Sequence, residues 1–287
     1  MAARGVARLA PAKINLALHV TGRRADGYHL LDSIAVFADV GDRIEILPAD
    51  ELKLSLSGPF AAHAPGDPGD LAWRAAQEFF QWTGVRTGAA IRVAKNIPAG
   101  AGLGGGSADA AAVLLGLDEL FGTNLPAHEL RAVGLKLGAD VPMCLVGRAL
   151  RARGIGEEIS PLEGFPPVPM VLVWPGKPVS TAEVFGALAR RDNPPLPDPP
   201  REKSPVEIAG WLQSYRNDLE PAATKILPEI SAVLDALRGT DDCLLARMSG
   251  SGSACFGLYS DHPAARAASA EIAKARPRWW SAATQAS

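Results

Sequence analysis

The residues best placed to do chemistry open in "KNIPAGAGLGGGSADAAAVLL", Lys95 to Leu115, where five glycines fall within seven residues ahead of Ser107 and Asp109. Glycine tolerates left-handed backbone, so successive N–H groups can converge on one anion, and a helix starting there adds its positive end. Ser107 is expected to cap that helix, and Asp109 to sit in its first turn. The chemistry predicted is phosphate binding; a flexible turn is the plain alternative. Gly100, Gly102 and Gly105 also spell G-x-G-x-x-G, but a dinucleotide fold needs an acid about 20 residues on at a strand end. Asp118 and Glu119, the nearest acids at that distance, fall inside the predicted helix. No Gly-Lys-Ser/Thr closes the loop, so a Walker A motif fails as well.

Three further stretches carry polar groups in suggestive places. "PAKINLAL" puts Lys13 and Asn15 on one side of a strand, "GADVPM" sets Asp140 before a backbone-restricting Val-Pro, and "MSGSGSACF" is a second small-residue loop. Taken singly, each has a bland explanation: a solvated strand face, an acid in a turn, a tight turn.

The elements that must position these groups are partly readable. Ile14, Leu16, Leu18 and Val20 alternate with Lys13, Asn15, Ala17 and His19, the pattern of a half-buried strand. After "TGRRADGYH" comes an apolar stretch over 30–37, then a hairpin of 42–47 with 52–56 around "PADE". Helical spacing runs over 71–82 with Gly84 as its stop, and a short strand over 91–95 feeds the glycine loop. Beyond the loop, Ala110, Val113, Leu114, Leu117, Leu120 and Phe121 form a helical stripe ended by Gly122. In the second half, 170–174 reads as a strand, and 181–190, 206–215, 228–238 and 263–275 as helices. The proline-rich stretch 192–205 reads as an exposed loop.

A chain of 287 residues favours two domains, divided between about Gly147 and Pro167. The net charge of -2 makes no electrostatic case for nucleic acid or an anionic membrane. No apolar run reaches the roughly 18 residues of a spanning helix. Three scattered cysteines argue against a disulfide framework and for a cytoplasmic location. The basic, acid-free N-terminus invites comparison with a transit peptide, but cleavage after Leu16 would remove Lys13 and Asn15.

In combination and order, "PAKINL", "PAGAGLGGGSADAA", "GADVPM" and "MSGSGSACF" resemble the GHMP kinase superfamily, over nearly the whole chain. The resemblance implies an α+β, two-domain fold: an N-terminal ribosomal-protein-S5-like, ATP-binding domain (1–158), a C-terminal ferredoxin-like domain (159–287), and the active site between them. It implies ATP and Mg²⁺, with Asp140 as catalytic aspartate and Lys13 as its partner. The triphosphate would be wrapped by Pro98, Gly100, Ala101, Gly102, Leu103, Gly104, Gly105, Gly106 and Ser107. Lys95 would line the nucleotide entrance, and Ser107 would help hold the metal. "TGRRADGYHLLDSI", "RARGIGEEI", "PVSTAEVF" and "NDLEP" are similar to the superfamily branch that phosphorylates a cytidine diphosphate sugar alcohol on the way to isoprenoid precursors. On that similarity Tyr28, His29 and Phe185 hold the cytosine. Thr181 is likewise implied to bind the substrate, and Asn15 to reach the erythritol or diphosphate. Rival expectations are a mevalonate- or homoserine-type acceptor, a nicotinamide-dependent dehydrogenase, and a non-catalytic ligand-binding member of the fold. Two positions depart from the family's habit. Asp70 stands where Asn is common, and "SAD" replaces "SSD", leaving one hydroxyl at the helix start. The expected partner is a small molecule, with neither nucleic acid nor membrane, and the expected assembly a monomer or weak homodimer.

Overall fold

The computed structural model describes residues 5–200 and 203–287. In chain order the elements are β1 (Val6–Arg23), β2 (His29–Ala49), β3 (Lys53–Ser57), α1 (Leu71–Thr83), β4 (Gly88–Ala94), α2 (Gly105–Phe121), α3 (Ala127–Leu137), α4 (Val141–Val146), β5 (Leu150–Gly154), β6 (Glu158–Pro161), β7 (Val168–Trp174), α5 (Thr181–Gly186), α6 (Pro205–Leu212), α7 (Glu220–Ile226), α8 (Glu229–Arg238), β8 (Leu245–Met248), β9 (Cys255–Leu258), α9 (His262–Ala275) and β10 (Trp280–Ala286). Two compact units form, and neither is a continuous stretch of chain. The first takes the residues up to Ala12, Gly41–Ala99 and Gly104–Gly147; the second takes Lys13–Val40, Gly100–Leu103 and Arg148–Ser287. The sequence-derived halves, 1–158 and 159–287, are continuous stretches of chain, and these units are not. Those halves do not anticipate that Lys13–Val40 and the loop segment Gly100–Leu103 join the second unit.

In the first unit the far half of β2 pairs antiparallel with β4, from Arg43 opposite Ala94 to Ala49 opposite Gly88. β4 in turn pairs parallel with β3. The expected hairpin of 42–47 with 52–56 is therefore wrong, because β4 lies between the two strands and takes the hydrogen bonds of both. Ile44, Ile46, Ile91 and Val93 are buried on one face, while Glu45 and Arg92 pair across the other at 3.0 Å. α2 packs closely onto the buried face: a Cβ at Gly116 would stand 2.6 Å from Ile46 Cδ1. α1 ends as expected, with Gly84 in the left-handed region (φ 71°) donating to Phe80.

In the second unit β2, β10, β7, β9 and β8 are successive neighbours, and the near half of β2 also pairs with β5, which carries β6. All seven residues of β7 are buried, as expected of a strand covered on both faces. Ile230, Val233, Leu234 and Leu237 form the buried stripe of α8, packed with Val171, Val173 and Tyr259.

β1 also departs from expectation: Lys13, Asn15 and His19 are as buried as the apolar residues between them, so both faces are covered. Part of the cover is the proline-rich segment expected to be an exposed loop. Asn193 and Leu196 are buried in it, Asn193 N–H donates to Val20 O at 3.0 Å, and His19 Nδ1 meets Pro194 O at 2.8 Å. Arg151, gripping Asp32 through Nε (2.8 Å) and Nη2 (2.6 Å), also donates to Leu196 O. α5 stops at Gly186, a poor helix former, rather than at residue 190. α6 ends at Leu212 because Arg216 and Asp218 must bracket Leu18 of β1 with two backbone bonds.

Candidate active site

The glycine loop has two feet in the first unit and an apex in the second. At the entry foot, Asp42 Oδ1 accepts the N–H groups of Asn96 (2.5 Å) and Ile97 (3.0 Å), turning the chain out of β4. Lys95 Nζ lies between Asp42 Oδ2 and Asp109 Oδ2, the latter at 2.6 Å, with all three side chains at most 4% exposed. One ammonium cannot neutralise two buried carboxylates. Asp42 has three donors, whereas Asp109 has only Lys95 and a second oxygen with no partner. Burial accordingly pushes the Asp109 carboxyl up to about 8, against the pull of Lys95 and with help from the charge of Asp42. For Lys95, burial works to lower the pKa, but Asp109 and Asp42 outweigh it and the net shift is upward. The expected nucleotide-entrance residue thus has its ammonium in a buried ion triad.

The exit foot corrects two expectations. Gly104, not Ser107, is the N-cap of α2, at φ 66° and with no side-chain cap bond. Left-handed turns at Gly100, Gly102 and Gly104 bring the chain into helix early, so Ser107 falls in the first turn and Asp109 lies beyond it, inside the core. The first-turn N–H groups now belong to Gly105, Gly106 and Ser107, which have no acceptor within a helix. Gly106 is exposed and Ser107 half-buried. The acids a ribose would have needed are occupied locally: Asp118 accepts from Thr123 (2.6 Å) and Leu125 (2.9 Å), and Glu119 pairs with Arg8 at 2.6 Å.

The apex is bonded to β1 and to the small-residue loop between β8 and β9. Lys13 N–H donates to Leu103 O (2.8 Å) and Ala254 N–H to Ala101 O (2.9 Å). The Ser249 hydroxyl accepts from Asn15 N–H (3.2 Å) and donates to Gly102 O (3.0 Å). A Cβ on Gly102 would lie 2.5 Å from Ser249 O and 2.8 Å from Gly252 O, so only glycine fits. Asn217 holds the small-residue loop from behind, donating to Met248 O (2.9 Å) and Gly250 O (2.7 Å). Asp42 and Asn217 escaped sequence reasoning. The acid two residues after Val40 and the "ND" before Leu219 were legible as letters, but their contacts span 54 and 33 positions.

The remaining expected residues lie as follows. Lys13 is buried on β1 (4% exposed), and Asp140, half-buried, precedes α4 without capping it through its side chain. Asn15 Nδ2 donates to Ser33 Oγ at 2.7 Å, leaving its buried Oδ1 unpartnered. The His29 ring stacks on Phe185 (centroids 4.9 Å apart, 27° between planes), its Nε2 unpartnered, beside Tyr28 at 60% exposure. Burial first, then the charges of Arg23 and Arg191, lower the His29 pKa and favour a neutral ring. Thr181 Oγ1 lies 2.8 Å from Ser251 Oγ. Asp70, the departure from the common Asn, accepts from Ala72 N–H at 2.8 Å and caps α1. Among the described residues no group of three His, Cys, Asp or Glu could hold a metal, and no helix is long and apolar enough to cross a membrane.

Comparison with known proteins bears on this geometry directly. Residues 70–148 match the model of the GHMP kinases N terminal domain and 201–277 that of the GHMP kinases C terminal, together more than half of the chain. The 4-diphosphocytidyl-2-C-methyl-D-erythritol kinase of Paramagnetospirillum magneticum is 50% identical over 280 residues, 96% of each chain. A crystal structure of 4-(cytidine 5'-diphospho)-2C-methyl-D-erythritol kinase superposes with a TM-score of 0.80 at 38% identity, covering 98% of this chain and 100% of that one. A homoserine kinase from Cytophaga hutchinsonii shares the fold alone, at TM-score 0.71 and 17% identity over 99% and 94% of the two chains. The chain therefore belongs to the 4-diphosphocytidyl-2-C-methyl-D-erythritol kinase family of the GHMP kinases, which are ATP-dependent small-molecule kinases.

Proposed function

We propose that the chain transfers the γ-phosphoryl group of ATP to the 2-hydroxyl of 4-diphosphocytidyl-2-C-methyl-D-erythritol, in the methylerythritol phosphate route to isoprenoid precursors. The observation that carries the acceptor is the His29–Phe185 stack beside exposed Tyr28. It offers an aromatic platform and a neutral imidazole, suited to the face and edge of a pyrimidine. Thr181 lies about one helix turn before Phe185 in α5 and is the further residue given to the acceptor.

On the donor side, the N–H groups from Gly100 to Ser107 bind the phosphates and the α2 N-terminus favours their charge. Phosphoryl transfer is mostly positioning and charge stabilisation. The acceptor oxygen attacks the γ-phosphorus, the bond to the ADP oxygen breaks, and the hydroxyl proton passes toward Asp140. Lys13 offsets charge on the transferring oxygens, and the bare Oδ1 of buried Asn15 takes a hydroxyl hydrogen bond from the sugar alcohol. The half-buried Ser107 hydroxyl would help hold a Mg²⁺ ion, an ion that binds with few protein ligands. Such an ion would supply positive charge against the phosphates. The working assembly is a monomer or weak homodimer in the cytoplasm, a location supported by three cysteines that are all free.

A coupled assay of ADP release tests this reading. Turnover is expected with the cytidine diphosphate sugar alcohol and not with mevalonate, and Asp140→Asn should cut kcat at least ~10²-fold. A folded Asp140→Asn protein with near-normal turnover would sink the role given to Asp140, and equal rates on mevalonate would sink the acceptor.

A further inference from the structure

Asp42 has no part in the roles given above, yet it touches the phosphate loop more intimately than any other acid described. It stands where β2 has just entered the first unit, fully buried. Oδ1 takes the N–H groups of Asn96 and Ile97, the last two residues before Pro98. Oδ2 takes Lys95, whose ammonium also reaches Asp109 in α2. The same oxygen would be 3.7 Å from a Cβ on Gly105, the first residue of that helix. One carboxylate therefore grips the loop's entry directly and its exit through Lys95. A loop with five glycines in seven residues has little stiffness of its own, so its two feet must be fixed from outside.

We infer that Asp42 is a positioning residue for the phosphate loop, holding both feet at the separation that aims the loop's N–H groups at the donor phosphates. This rests on the reading that the glycine loop binds ATP. The alternative is a purely structural role, in which a buried carboxylate merely balances Lys95. The two differ in what is lost on removal. Without Asp42, Lys95 and Asp109 remain as a one-to-one pair, so no net charge is stranded, but two N–H groups at the loop entry lose their acceptor. The damage should therefore fall on the ATP side alone.

The test uses the full-length chain. Binding of a non-hydrolysable ATP analogue is measured by calorimetry, and KM for ATP and for the acceptor by ADP release, in wild type, Asp42→Ala, Asp42→Asn and Gly106→Glu. Gly106→Glu puts a carboxylate into the cradle at an exposed first-turn position, so it should abolish analogue binding whatever Asp42 does. If it binds normally, the loop reading itself fails. With that control in place, Asp42→Ala should raise the analogue Kd and the ATP KM about tenfold or more, as the loss of two anchored N–H bonds implies, with the acceptor KM unmoved. Asp42→Asn keeps an oxygen for those N–H groups and should recover most of the loss. A folded Asp42→Ala protein with wild-type ATP affinity overturns the inference, as does one in which both KM values change alike. Should the alanine protein not fold, the asparagine protein decides. A small rise in ATP KM alone supports the inference, and equal changes in the two KM values overturn it.

Discussion

Replacing Asp109 by Asn should make the protein more stable relative to wild type as pH rises, the reverse of what losing a salt bridge ordinarily does. Asp109 is buried beside one ammonium already bound by Asp42, and its Oδ1 has no donor. Its carboxyl, pushed up to about 8 by burial, keeps a proton in the folded state that an unfolded aspartate, near pKa ~3.9, has released. From pH 5 to 7 the folded chain thus holds about one proton more than the unfolded chain at this site, and stability falls by about 1.4 kcal/mol per pH unit on its account. The contribution is complete below pH ~4 and is lost as pH climbs toward 8. Asn keeps an oxygen for Lys95 but has no proton to lose, so its advantage over wild type should grow by roughly 3 kcal/mol between pH 5 and pH 7. Urea titrations of both proteins at pH 5, 6 and 7, read as midpoint times slope, measure the difference. Parallel pH curves would refute the reasoning. They would show instead that Lys95 holds Asp109 ionised in the folded chain, as it already is in the unfolded chain above pH 5.

Arg151→Ala should destabilise by about 3–5 kcal/mol, because it leaves Asp32, 2% exposed, without its bidentate partner, whereas Asp198→Ala, removing a 93% exposed partner of the same arginine, should cost under about 1 kcal/mol; chemical denaturation separates the two. Gly102→Ala drives a Cβ to 2.5 Å from Ser249 O at a φ of 77°, and should lower the melting temperature and weaken ATP binding together. Ser249→Ala leaves Asn15 N–H and Gly102 O without their shared hydroxyl at a fully buried position, and should cost about 1–3 kcal/mol in denaturation while leaving cytidine binding intact. Tyr28→Ala with His29→Ala should abolish acceptor binding in calorimetry yet leave ATP affinity unchanged; loss of both would contradict the separate platform.

How far the sequence alone reached depends on the distance over which each feature is decided. Helix α1 with its Gly84 stop, the strand before the glycine loop and the stripe of α2 are written within a dozen residues, and the structure has them. The order of the four polar motifs was enough to expect the family and its α+β fold. What failed is set by partners far along the chain. A hairpin between 42–47 and 52–56 is the local choice, and β4, forty residues on, displaces it by pairing with both strands. The polar side of β1 looked solvated because the segment that covers it lies 173 positions away, where Asn193 meets Val20. Ser107 satisfied every local rule for an N-cap, but three left-handed glycines start the helix before it. That last failure bears on the chemistry. A helix begun by a serine cap would give one of its free N–H groups to the serine's own oxygen. Begun at Gly104, it keeps those of Gly105, Gly106 and Ser107 for a ligand and frees the hydroxyl as well, which makes the helix start a better anion site than a serine cap would.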